Sequence, residues 1–172
     1  MINKKPLLLI GLLSIIIISV AVVLVFNKKE IKKFHYHAGF AVYKDDKKID
    51  FMDFKYMVVK PCSLDKRERK ESDEDNQIEK AHLHDMTGDV VHVERENSKW
   101  SDLFKNLKYN IDYGSITAYI NGKKVDNIQN LVIHPYDSLV VLIGKNNAEK
   151  PLSNAVTIKH IKEAEKRSEN CG

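Results

Sequence analysis

The chain has 172 residues, a formal net charge of +4 and 30% charged side chains. Its positive and negative residues are interleaved, which argues against the basic stripe of a nucleic-acid-binding protein. Two cysteines, Cys62 and Cys171, exclude a disulfide-dense scaffold and a four-cysteine zinc site.

Residues 1–5 form a short tail with Lys4 and Lys5. Pro6 to Phe26 then runs for 21 residues without a charge, the length that crosses a bilayer core. A cleaved signal peptide competes with this reading, and Ser19-Val20-Ala21 offers a candidate cleavage site. Signal-peptide cores span about 7–15 residues, however, and this run continues to Phe26, which favours a transmembrane anchor. The basic linker 27–33 carries Lys28, Lys29, Lys32 and Lys33, so a count of positive charge alone holds the next domain in the cytoplasm. The short N-terminal tail is instead the layout of a signal anchor. It leads to the expectation of a single-pass protein of the cell membrane with an extracytoplasmic domain.

That domain is expected over 34–144. Phe34, Tyr36, Ala38, Phe40 and Val42 alternate with His35, His37, Gly39, Ala41 and Tyr43, the period of a strand. Asp45-Asp46 makes a turn, and Lys48 to Phe54 returns. The stretch 62–80, with its run DKRERKESDED, reads as a charged flexible insertion. Ala81–Leu83 and Val91–Val93 read as a hairpin whose loop gives Gly88 a left-handed position. Trp100, Leu103, Phe104 and Leu107 follow the i, i+3, i+4, i+7 spacing of a helix, with Ser98 as its cap and Asp102 in its first turn. Ile116–Ile120, the turn Asn121-Gly122, Lys123–Val125 and Leu139–Ile143 complete the strands. The sum is an α+β domain, one helix on a small mixed β-sheet, for which a β-grasp-like arrangement is a candidate. The remainder, 145–172, reads as a polar tail with a short helix from about Asn154 to Arg167, its stripe being Ala155, Ile158, Ile161 and Ala164.

The histidines carry the chemistry. His-x-His occurs twice, at His35/His37 and His82/His84. Counting outward from the hairpin loop sets His82 opposite His92, with Ala81, Leu83, Val91 and Val93 on the core face. His82, His84, His92 and Glu94 then share the other face. If the first strand lies beside this hairpin, five imidazoles surround one or two ions. Imidazole suits zinc and copper, and Met86 in the loop could add a soft ligand for copper. Incidental surface histidines and a proton-handling site are the competing readings. His134 and His160 read as surface residues.

The strings FHYHAGFAVYKDDKKIDF, AHLHDMTGDVVHVE, KWSDLFKNL and AYINGKKV resemble an uncharacterised family of small prokaryotic membrane-anchored proteins, over roughly Phe34 to Gly144. The specific portion is an HxH…HLHD…IHxH pattern, in which Glu94 stands where a further histidine is expected. Some members carry a protein-disulfide-isomerase label, but this chain lacks the CxxC that such chemistry uses. Cys62 and Cys171 could pair if the domain lies outside, or remain free.

Three functions follow. The first is an anchored domain that binds zinc or copper through His82, His84 and His92, with His35, His37 and Glu94 as further ligands or supports. The second is an anchored protein–protein interaction module without a metal. The third is a metal-dependent hydrolase, with Asp85 or Glu94 as general base by position alone. The sequence holds no HExxH, P-loop, GxSxG or dinucleotide motif.

Overall fold

The structure, a computed structural model, describes residues 34–58 and 73–168. The apolar segment 6–26, the linker 27–33, most of the charged insertion and both cysteines lie outside the described residues. Among the described residues, no helix is long and apolar enough to cross a membrane.

Six strands form one mixed sheet: β1 (Tyr36–Lys44), β2 (Lys47–Lys48), β3 (Val90–Val93), β4 (Ile116–Ile120), β5 (Lys123–Val125) and β6 (Ser138–Ile143). The spatial order is β2-β1-β6-β4-β5, and β3 pairs with β1 on the edge that β2 also uses. β1 and β6 run parallel, with Gly39 opposite Ser138, while the other neighbours are antiparallel. The α+β class and the mixed sheet agree with the sequence. So does the turn at Asn121-Gly122, whose φ values of 53° and 76° are those of a type I′ hairpin.

Helix α2 (Trp100–Asn106) covers one face of the sheet. Trp100, Leu103, Phe104 and Leu107 are buried against Phe40, Val42, Leu83, Val91, Val93 and Val141. The Phe40 ring stands 5.3 Å from Phe51 and 6.3 Å from Phe104, in tilted and edge-to-face contact. Ser98 is not the cap of this helix. The cap position falls on Lys99, whose backbone N–H donates to the Asp102 carboxylate at 2.9 Å, while the Ser98 hydroxyl donates to the Arg95 carbonyl.

Three regions depart from the sequence reading. The return expected over Lys48 to Phe54 pairs with β1 only at Lys47–Lys48, and Phe54–Tyr56 forms a 3₁₀ turn. Asp73–Lys80, inside the supposed flexible insertion, forms a helix, α1. Its open C-terminal carbonyls explain how so polar a segment is held. The Asn106 amide of α2 donates to the carbonyls of Gln77, Ile78 and Ala81, at 2.9, 3.3 and 2.7 Å. The C-terminal region is also more than a polar tail. It contains α3 (Glu149–Ser153) and α4 (Ile158–Ser168), and it packs on the sheet face opposite α2. Val156, Ile161 and Ala164 are buried, whereas Ile158 is 55% exposed. The helix begins only at Ile158, so residues before it do not keep the helical period and the expected stripe is misplaced. Gly39 permits the approach: a Cβ there would stand 2.5 Å from Val156.

Candidate metal centre

β3 lies between two histidine-bearing segments. On one side is β1, with His37 directly opposite His92. On the other is the 82–84 segment, where His82 bridges His92 through a reciprocal pair of backbone hydrogen bonds of 3.0 and 2.9 Å. Opposed residues share a sheet face, and residues two apart return to it. His35, His37, His92, His82 and His84 therefore collect at one end of the sheet. The hairpin register and its core face, with Ala81, Leu83, Val91 and Val93 all fully buried, follow the sequence expectation.

The turn itself differs. Asp85 and Met86 take the left-handed conformation, with φ of 55° and 54°, and the Thr87 N–H donates to the His84 carbonyl. This is a type I′ turn one step earlier than expected. Gly88 serves another purpose: a Cβ there would stand 2.5 Å from the Met52 backbone nitrogen. Met86 is 51% exposed in the turn.

His37, His82 and His92 are 2, 5 and 7% exposed, His84 is half-buried and His35 is exposed. Ring centroids lie 4.4 Å apart for His35–His92 and His84–His92, 4.7 Å for His37–His92 and 5.0 Å for His82–His92. Two trios, His35/His37/His92 and His82/His84/His92, each offer one nitrogen per residue with all three atoms within 4.8 Å of one another. Ligand nitrogens about 2.0–2.1 Å from a tetrahedral ion stand about 3.3 Å apart, so small side-chain rotations close either trio.

The hydrogen bonds fix the tautomers of two of the rings. The Nδ1–H of His82 donates to the Ile78 carbonyl at 3.0 Å, and the Nδ1–H of His84 donates to Asp85 Oδ2 at 2.6 Å. Both partners only accept, so each neutral ring carries its lone pair on Nε2. Carbonyl and carboxylate partners of this kind orient metal-binding histidines. His84 Nε2 faces His92 Nδ1 in close contact. Burial pushes His37 down to about 3, and repulsion from His92, His35 and His84 acts in the same direction. Burial also lowers His92, against the raising influence of Glu94. Neutral imidazoles are the form that binds metal.

Glu94 stands outside both trios, with its Oε1 3.5 Å from His92 Nε2. His160 bonds Asp89 at 2.9 Å and His134 is exposed, so neither is part of the cluster. Three supports escaped sequence reasoning. The Ile78 carbonyl orients His82 from a helix the sequence did not announce. Asp85, read only as a possible base, orients His84. Glu165 of α4 brings Oε1 to 3.8 Å from His37 Nδ1 and accepts a hydrogen bond from the Tyr136 hydroxyl. Only Asp85 had a sequence signal, its position directly after His84. No family model matches the chain, and neither a curated protein nor a solved structure does.

Proposed function

We propose that this chain is a membrane-anchored metal-binding protein, with 6–26 as its anchor and the histidine face as an extracytoplasmic site for zinc or copper. One observation carries the reading. His82 and His84 are each tied at Nδ1 to an acceptor, His84 Nε2 faces His92 Nδ1, and His82, His84 and His92 each bring one nitrogen within 4.8 Å of the others. Incidental surface histidines are neither buried nor oriented in this way. An imidazole donor set suits both metals, and three nitrogens leave a position for a further ligand. The strand order, with a central parallel pair and a hairpin on each flank, supports a β-grasp-like fold to which β3 is added. The HxH and HLHD strings that suggest the family are those that build the site.

The test is direct. The full-length chain, purified without a histidine tag and stripped with chelator, is titrated with zinc and with copper. Binding in the micromolar range or tighter, with a rise in melting temperature, is expected. A protein that takes up neither ion and gains no stability from either is not a metal-binding protein. An interaction module would give that result.

A further inference from the structure

The donors around His92 outnumber the needs of one ion. Five imidazoles and the Glu94 carboxylate gather there, whereas a tetrahedral zinc site uses four ligands. They are also divided. The two trios share His92 and nothing else. His92 stands on the middle of three adjacent segments, with His37 across one backbone ladder and His82 across the other. Its two ring nitrogens have different company: Nδ1 faces His84 Nε2, while Nε2 lies 3.5 Å from Glu94 Oε1.

Resting on the metal-binding reading above, we propose that the cluster is a two-ion centre in which the His92 ring bridges the metals. One ion is held by His82 Nε2, His84 Nε2 and His92 Nδ1. The other is held by His35, His37 and His92 Nε2, with Glu94 closing on it. The strand spacing suits this division. Adjacent backbones are about 4.8 Å apart, so the outer two segments stand about 9.6 Å apart. Ions on either edge of one imidazole are separated by about 6 Å, from a ring nitrogen span near 2.2 Å and bonds near 2.0 Å. Both ions thus fit between the outer segments. The bridging step balances simply. The neutral His92 ring gives up its remaining N–H proton to solvent, and each nitrogen donates an electron pair to one ion. The second cation offsets the charge of the imidazolate that forms.

Copper(II) titration of the tag-free full-length chain, followed by stoichiometry and electron paramagnetic resonance, tests the arrangement. The first equivalent is expected to give its full spin signal. The second is expected to bind and to reduce the total to less than half of the two-spin value, because an imidazolate couples the two unpaired electrons antiferromagnetically. His35→Ala, a change at an exposed side chain, is expected to remove the second equivalent and leave one full spin. A single equivalent in the parent overturns the two-ion centre and leaves the metal-binding function standing. Two equivalents with two full spins overturn the bridge. Persistent coupling in His35→Ala overturns the ligand assignment. No binding at all removes the metal-binding function itself.

Discussion

The two faces of β1 and β3 set an instructive contrast, since the same backbone serves both. Ala38, Phe40, Val91 and Val93 look toward α2, while His37 and His92 look toward the C-terminal helix region. Both faces are buried. The first gains from burial outright, at about 25 cal/mol for each Å² of apolar surface removed from water. On the second, burial opposes charge on polar rings. One face is therefore a source of stability, and the other holds donors in a state ready for a cation.

Substitutions on the two faces separate stability from binding. Phe40→Ala empties a site shared with Phe51 and Phe104 and is expected to cost about 3–5 kcal/mol. His92→Ala is expected to lower metal affinity by more than a hundredfold while the metal-free protein loses far less stability than Phe40→Ala. Urea unfolding of the stripped proteins and metal titration of the folded ones check both. Equal losses of stability from the two changes would erase the distinction between the faces.

Acid sharpens the same contrast. His37 holds its proton only below about 3 in the folded protein, against about 6.5 in an unfolded chain. Between these values the unfolded chain binds more protons, so stability falls as pH falls through that window and is fully present above about 6.5. His92, lowered by burial, adds to the trend, and Glu165 beside His37 opposes it. The urea midpoint of the metal-free protein is expected to drop steadily from about pH 7 to about pH 4.5. Phe40→Leu should retain that slope, and a flat parent profile would mean that the buried rings set no such requirement.

What could be read in the sequence was local. The alternation of 34–43, the helix face from Trp100 to Leu107 and the Asn121-Gly122 turn each depend on neighbours within a few residues. The His82–His92 register is local too, because a one-residue slip would set Ala81 against His92 and turn half of the apolar set Ala81, Leu83, Val91 and Val93 away from the core. The juxtaposition of β1 with β3 is non-local and entered the sequence reading only as a condition. Helix α1 was hidden because its hydrogen-bond partner, Asn106, lies in another helix. The second buried face was hidden because Gly39 looks like a gap in a strand until Val156 is seen against it.

Gly39 gives a smaller and more selective prediction. Gly39→Ala drives a methyl into Val156, so the C-terminal segment must shift or the strand must yield. The expected cost is about 1–3 kcal/mol. Because α4 also carries Glu165, the change should increase hydrogen exchange in α4 and β1 while leaving α2 protected. Uniform loss of protection would show that the two faces unfold as one unit.

The smallest expected effect lies at Asp85. Its carboxylate sits at the surface, accepts the His84 Nδ1–H at 2.6 Å and packs against nothing in the core. Asp85→Ala should therefore cost only about 1 kcal/mol of folding stability, and that from the left-handed backbone at a φ of 55°, which aspartate tolerates better than alanine. For the metal the same change matters more. Without its acceptor, the His84 ring is free to rotate or to change tautomer, and Nε2 loses both its fixed direction and some basicity. Loss of such a partner commonly weakens metal binding by about 10–100-fold. Asp85→Asn retains an acceptor oxygen without the charge, so its affinity should fall between the parent and Asp85→Ala. Competition with a chromophoric chelator at constant pH measures all three. If the three proteins bind alike, His84 is held by the turn alone and the carboxylate has no part in the site.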